Sequence, residues 1–426
     1  MENEGSGPSA YRPPLVGLYG IAFMARASYA LARTPVLALF AASLGAGPEA
    51  IGLAVAISTV TGILFKMPAG VVSDVMGRMR TMLVSLAVFA FVPLAYLWVS
   101  SYEALVAVRF LHGFATAIFA PVSMAVVVDA AGSRRAEALS WFSSVSIAGN
   151  LVGAPLGGFL ITALAGGGPY ELAHFHIVYG VVAALGAVPL LVALWTLRAR
   201  PAVPAPPERR SLAGVGRQFR AGVREILLER RVLLTSNMEG VQNLSVGALE
   251  AFLPVYVVLV AGLSAFQAGL LWGVQVVVTV AAKPLMGAVS DRYGRHPLVF
   301  WGMFACAVPF VLVPWFQSFA ALLLLAALFG LGEALVTSSA AALVADLCDE
   351  RHMGSAMGVF GTIRDVGHAA GPLLAGLLIG LFGGEDFRWP FALIGALLVV
   401  AALAFRLGAV PPVGQPASSS SAGEAP

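Results

Sequence analysis

Apolar runs of about 20 residues recur along the chain, and each is long enough to cross a hydrocarbon core of about 30 Å as a helix. Continuous runs of this length predict helices, because a membrane barrel alternates its faces over strands of about ten residues. The pattern predicts helices over 15–42, 51–72, 81–100, 104–129, 138–165 and 174–198, then over 233–261, 267–289, 298–315, 319–346, 355–382 and 388–408. The expected fold is an all-α polytopic membrane protein with twelve transmembrane helices in two pseudo-symmetric six-helix bundles. Its parts are an N-terminal cytoplasmic tail (1–14), a first bundle (15–198), a basic cytoplasmic linker (199–232), a second bundle (233–408) and a C-terminal tail (409–426). In the linker, Phe219, Val223, Ile226 and Leu227 recur at helical spacing among arginines. That spacing fits a helix lying on the membrane surface, and equally a solvated linker helix. The tail "GQPASSSSAGEAP" is of low complexity and is expected to be disordered.

Composition agrees with a bilayer setting. Only 11% of the 426 residues are charged and 59% are hydrophobic, whereas a soluble domain carries about 25% charged residues. The opening "MENEGSGPSAYRPP" is polar and the first apolar run is too long for a signal h-region, so no cleavable signal is expected. Cys306 and Cys348 fall in a predicted helix and a predicted loop, which implies no disulfide framework. The net charge of +3 does not mark a nucleic-acid surface, because the bases follow membrane topology instead. Of the 25 Lys and Arg, six fall inside predicted spans away from their ends and Arg388 lies at a span end next to a loop of opposite parity; the other 18 occupy the termini, the linker, the even-numbered loops and the span ends beside them. The positive-inside rule places those regions, and both termini, in the cytoplasm. The expected location is a bacterial-type cytoplasmic membrane.

One polar stretch is written twice: "GVVSDVMGRMR" at 70–80 and "GAVSDRYGRHP" at 287–297. At this offset of 217, Lys66 falls on Lys283, Gly70 on Gly287, Asp74 on Asp291, Gly77 on Gly294 and Arg78 on Arg295; further on, Gly113 falls on Gly330, Asp129 on Asp346 and Arg134 on Arg351. Duplication of a six-helix unit is a mark of transporter folds, whose substrate site lies between the halves near the midplane. Gly70 and Gly287 are expected to let a neighbouring helix approach closely. Asp74 and Arg78 are spaced to pair, and Asp129 at the end of helix 4 can reach the same arginine. A cluster of Asp74, Arg78 and Asp129, mirrored by Asp291, Arg295 and Asp346, is expected to latch and release helix ends; the plainer alternative is that these charges only fix topology. Gly149, Gly153 and Gly157 share one face of helix 5, and Gly367, Gly371 and Ala375 repeat the spacing on helix 11. Both sets read as helix-packing seams.

These residues resemble the major facilitator superfamily over essentially the whole chain apart from its tails. The family's loop motif, Gly-x-x-x-Asp-x-x-Gly-Arg, is matched by Gly70, Asp74, Gly77 and Arg78, with Met79 intervening before the basic Arg80, and again by Gly287, Asp291, Gly294 and Arg295. Its helix-4 motif appears as "RFLHG", with Arg109 and Gly113 in place and His112 standing where the family has glutamine. The glycine-rich helix-5 motif of drug:proton antiporters appears loosely as "GNLVGAPLGG", its proline one place late, and helix 11 carries "GHAAGPLLAG". The motifs are closest to antiporter-like members. The resemblance implies secondary active transport by alternating access, with proton-coupled efflux of a small organic solute, anionic or amphipathic, as the leading reading. Uptake or exchange of an anionic metabolite is the alternative, because drug antiporters commonly carry an acid in helices 1 to 6 and this chain has none there at midplane. The expected partners are a small-molecule substrate, protons and the lipid bilayer, with a monomer as the working unit.

Ionisable groups inside spans are costly and default to function. The bases are Arg26, Arg33, Lys66, Arg109, Lys283 and Arg364, and the acids are Glu239, Glu250, Glu333 and Asp365. The first half holds bases alone, and a surplus of arginine favours an anionic substrate, since guanidinium grips carboxylate or phosphate with two parallel bonds. The expected substrate and proton cavity comprises Arg26, Arg33, Arg109, Glu239, Glu250, Glu333, Arg364 and Asp365. Glu333 lies near the midplane and ranks first as proton carrier, with Asp365 second; permanent pairing to a base is the alternative for each. Arg33 and Glu250 correspond across the repeat and could form an outer gate. In the superfamily helix 2 packs near helix 11, which makes Lys66 and Asp365 a candidate pair, against simple snorkelling of each lysine. His112 could titrate or serve as a hydrogen-bonded packing residue. No His-Glu-x-x-His, nucleophile-elbow or phosphate-loop pattern appears, so an enzyme or an ATP-driven pump is not expected, and neither is a metal or cofactor. A non-transporting membrane sensor is the rival from another class.

Overall fold

The structure is a computed structural model that describes residues 15–132, 134–197, 229–348 and 353–408. The linker pattern at Phe219 to Leu227, the low-complexity tail and Arg351 lie outside the described residues. Twelve helical segments account for most of the rest. They are α1 (Leu15–Ser43), α2 (Pro48–Met76), α3 (Arg78–Ala95), α4 (Tyr102–Ala131), α5 (Arg135–Ala165) and α6 (Leu172–Leu197), then α7 (Arg230–Val255), α8 (Ala265–Tyr293), α9 (Arg295–Leu312), α10 (Phe319–Leu347), α11 (Met353–Leu381) and α12 (Arg388–Leu407). Eleven of them are long and apolar enough to span a bilayer, and α11 matches their length while carrying Arg364, Asp365 and His368.

Packing follows the duplication. In the first half α1 packs on α5, α2 on α4 and α3 on α6; in the second, α7 packs on α11, α8 on α10 and α9 on α12. The halves meet along two seams, α2 against α11 and α5 against α8, which exchange places under the same relation. Six tryptophans are exposed near helix ends: Trp98, Trp315 and Trp389 toward one face, and Trp141, Trp195 and Trp301 toward the other. Two such belts are where amphipathic rings settle at membrane interfaces.

Two boundaries differ from the sequence expectation in ways that matter. The first span is not one helix: Leu15–Leu31 and Val36–Ser43 are separated by a turn at residues 32–35. Pro35 lacks the N–H that would continue the ladder and disfavours helical backbone at Thr34. The break puts Arg33 and Thr34 inside the protein on non-helical backbone. The seventh helix starts at Arg230, three residues before the expected 233, and its far end widens at Tyr256–Val260.

Gly77 and Gly294 adopt φ of 94° and 91°. That left-handed backbone favours glycine and turns the chain in one residue, so that Arg78 and Arg295 open the next helices.

Candidate functional site

Close helix approach in an apolar medium depends on small residues, and glycines show where this protein is tight. A Cβ on Gly149 would lie 2.5 Å from the Phe23 carbonyl, and Gly153 and Gly157 meet the Ala27 and Leu31 carbonyls, all on α1. In the second half Gly367 and Gly371 press on the Gly240 and Leu244 carbonyls of α7. Gly240 and Leu244 are the repeat counterparts of Phe23 and Ala27.

The seams between halves are tight at one end only. Gly52 of α2 abuts the Pro372 carbonyl of α11, and its counterpart Gly269 of α8 abuts Ala154 and Pro155 of α5. Gly158 meets the Ala265 carbonyl, the Phe266 N–H donates to Thr162 Oγ1 at 3.0 Å, and the Ala265 N–H donates to the Tyr170 hydroxyl at 3.0 Å. Toward the other end, which carries the repeated Asp/Arg motif, a Cβ added to Gly70, Gly287, Gly354, Gly358 or Gly361 would meet no heavy atom within 4 Å. The expectation that Gly70 and Gly287 mark close helix approach is therefore corrected for this state: the α2–α11 and α5–α8 seams part before reaching them. The cleft between the halves opens at the motif end and is shut at the opposite end.

At the open end, Arg78 Nη1 lies 2.7 Å from Asp129 Oδ1, and Nη2 lies 3.4 Å from Asp74 Oδ1. In the second copy Arg295 Nη1 lies 2.5 Å from Asp346 Oδ2, and Nη2 lies 3.5 Å from Asp291 Oδ1. Each guanidinium thus ties the start of one helix to the ends of two others. The carboxylates are exposed and the arginines half-buried at the surface, so each pair alone is worth about 0–1 kcal/mol. Such contacts can break and re-form during a conformational change.

Deeper in the cleft, two ion pairs cross between the halves. Lys66 of α2 pairs with Asp365 of α11, which also receives Arg364 Nη2 at 3.3 Å. Asp365 therefore holds two cations, which argues against its ranking as a proton carrier, and Lys66 reaches across the seam instead of snorkelling. Nearer the closed end, Arg33 pairs with Glu250, as a charge contact in which Nε makes no aligned hydrogen bond. Thr34 Oγ1 donates to Glu250 Oε1 at 3.1 Å, His368 Nε2 lies 2.9 Å from Oε2, and Arg33 Nη2 lies 3.0 Å from His368 Nε2 and 3.3 Å from Thr59 Oγ1. This one cluster draws residues from α1, α2, α7 and α11.

The other acids have no basic partner within ion-pair distance among the described residues. Glu333 accepts from Thr279 Oγ1 at 3.0 Å and from Gln275 Nε2. Glu239 is fully buried and so, contrary to expectation, does not line the open cleft: Oε1 accepts from Asn243 Nδ2 at 3.2 Å, and Oε2 has no partner. Glu333's partner Gln275 also borders an apolar cavity lined by Leu249, Leu253, Trp272, Phe310 and Phe329. Arg26 and Lys283 make no ion pair among the described residues, and Arg364 is 45% exposed.

Arg109 requires a correction. Its side chain has no accessible surface, so it does not line the open cleft. It sits inside the first bundle 5.3 Å from the Tyr29 ring centroid, beside Tyr96 and Tyr179, which stack at 3.9 Å. His112 is equally buried, with Nδ1 3.3 Å from the Tyr96 hydroxyl. His368, Thr34, Thr59, Gln275, Thr279 and Asn243 went unremarked as site residues in the sequence. Polar side chains interrupting apolar spans at the depth of known charges were the available signal. No group of three or more His, Cys, Asp or Glu able to hold a metal occurs among the described residues.

Comparisons with known proteins bear on the family and the fold. The sequence model described as Major Facilitator Superfamily matches residues 18–280 and 242–426. The multidrug transporter MdfA of Yersinia pestis is 28% identical over 253 residues, covering 57% of this chain and 58% of MdfA. Citrate exporter 1 of Aspergillus niger is 25% identical over 130 residues, covering 30% of this chain and 25% of the exporter. The chain thus spans no more than 58% of the length of these two relatives. The solved nucleoside transporter NupG superposes with a TM-score of 0.77 at 14% identity, covering 92% of this chain and 98% of NupG.

Proposed function

The chain belongs to the major facilitator superfamily, and from that premise we propose that it is a proton-coupled exporter of a small anionic or amphipathic organic solute. It is a membrane transporter, not an enzyme. Alternating access needs two bodies that part at one end while staying joined at the other. The observation that carries the reading is the pair of ion contacts bridging the halves, Arg33 with Glu250 and Lys66 with Asp365. With the motif end in the cytoplasm, as the distribution of bases suggests, this state is open inward. Arg26, Lys283 and Arg364 supply positive charge for an anionic group, and the apolar cavity beside Gln275 suits a hydrophobic portion. Glu333 and Glu239 have no cation within ion-pair distance among the described residues and are the proposed proton carriers, Glu333 first. A multidrug transporter and a citrate exporter among the relatives are compatible with export.

A second reading, uptake or exchange of an anionic metabolite, is favoured by one observation. No acid of the first half is buried among the described residues, so no carboxylate there is placed to carry a proton through the core. Flux into reconstituted vesicles under an imposed pH gradient, with anionic and cationic solutes side by side, separates the readings by direction and charge. Movement of lipophilic cations alone would overturn the anionic assignment. One unit of pH gradient can drive up to about tenfold accumulation per coupled proton. Glu333→Gln is expected to abolish that accumulation while leaving downhill exchange, and full retention would remove Glu333 from the role.

The motif glycines make a separate prediction. Gly70→Leu is expected to leave the stability of this state almost unchanged, within about 0.5 kcal/mol, yet to slow transport because the open end must close. Melting curves and flux on one preparation check it.

A further inference from the structure

The outer cluster contains a bonding conflict at a single atom. His368 Nε2 lies 3.0 Å from Arg33 Nη2, which can only donate, and 2.9 Å from Glu250 Oε2, which as a carboxylate can only accept. With a proton on Nε2 the imidazole bonds Glu250 and turns an N–H toward the arginine. Without one it accepts from Arg33 and turns a lone pair toward the carboxylate. With Glu250 ionised, no fixed proton arrangement satisfies both contacts.

We propose that His368 is a proton-binding residue that sets the strength of the outer gate. The proposal rests on reading Arg33 and Glu250 as that gate. When the ring carries both protons, Glu250 holds a cation on each oxygen, Arg33 at Oε1 and imidazolium at Oε2, and this double hold outweighs the contact in which the Arg33 and His368 donors then face each other. That arrangement binds α11 to α7 and, through Arg33 and Thr34, to the broken segment of α1. When the ring loses a proton to water in the cleft, Nε2 becomes an acceptor for Arg33 and Glu250 loses one of its two cations. The gate is then held by Arg33 and the Thr34 hydroxyl alone. His368 is 18% exposed and Glu250 4%, so the histidine is the more accessible to exchanging water.

The remaining groups around the ring are few. Thr59 on α2 bonds Arg33, Gly247 of α7 meets the His368 carbonyl, and Arg364 and Asp365 lie one turn earlier on the same helix, with Lys66 of α2 on Asp365. Glu333 on α10 is within electrostatic reach of His368, and Arg109 on α4 within reach of Glu250. Histidine is the side chain whose ordinary titration falls nearest neutrality.

The test is a spin-label distance between exposed outer positions on the two halves, Glu171→Cys and Gln317→Cys, with Cys306 and Cys348 replaced. It is measured from about pH 8 to about pH 5. In the otherwise native protein the ratio of closed to open outer ends is expected to rise on acidification by about 5- to 150-fold, the span of ordinary coupling between sites. His368→Gln keeps a hydrogen-bonding side chain but cannot titrate, and should remove the pH dependence. Glu333→Gln should leave it in place. Glu250→Gln should open the outer end at every pH, and an unchanged distance there would refute the gate reading itself. A gate that opens in Glu250→Gln while His368→Gln keeps the native pH response would overturn only the role of His368. So would a native protein whose distance never changes with pH.

Discussion

Glu250→Arg is expected to abolish transport, and Arg33→Glu in the same chain to restore most of it. Glu250 is 4% exposed and carries Arg33, Thr34 and His368 on its two oxygens. Breaking a buried pair by removing one partner costs about 3–5 kcal/mol, because the other charge is left uncompensated. Reversal is harsher, since it sets two guanidiniums and an imidazole against one another. At about 1.4 kcal/mol per factor of ten, each single reversal should lower flux by about 100-fold or more. The double reversal returns one positive and one negative group to the same contact, and the Thr34 hydroxyl can turn from donor to acceptor. Flux should then recover to within about tenfold of the native protein. Melting curves on all three variants separate a broken gate from an unfolded chain. A double variant no better than either single would mean that attraction between the two residues is not what closes the outer end.

Gly367→Leu should cost folding itself. Any side chain at 367 runs into the backbone of Gly240, because α11 and α7 touch there without intervening atoms. Overpacking a tight contact costs about 1–3 kcal/mol even where neighbours can shift, and here the neighbour is a carbonyl of a buried helix. Nine residues earlier on the same helix, Gly358 is exposed with nothing within 4 Å. Gly358→Leu is therefore the internal control. The first variant should melt at markedly lower temperature or fail to purify as a single species, and the second should match the native protein. Equal behaviour of the two would refute the packing seam.

Much of this architecture could be read from sequence because its causes are local. Runs of about 20 apolar residues leave the backbone few alternatives in a bilayer. The second copy of the Asp/Arg motif set the repeat offset, and with it the correspondence of Gly52 with Gly269 and of Pro155 with Pro372. The break at Arg33-Thr34-Pro35 was also written locally, in the proline, but an apolar run continuing to Ser43 hid it. What sequence could not supply was state. Gly70 and Gly287 belong to a motif associated with close packing, yet whether the helices touch there depends on which end of the cleft is open. Arg109 could not be told from a cavity arginine either, because the residues that enclose it, Tyr29, Tyr96 and Tyr179, come from three different parts of the chain. His368 was obscured by its neighbours Arg364 and Asp365, and its significance lies in two distances that only the tertiary structure sets.

The decisive measurement pairs two distances in one protein: Val75 with Met357 at the motif end, and Glu171 with Gln317 at the outer end, each read between attached spin labels under matched conditions. The two should change reciprocally, the motif-end distance shortening in every condition that lengthens the outer one. If both lengthen together, or if neither moves while solute is being carried, the halves do not exchange access around a shared cleft.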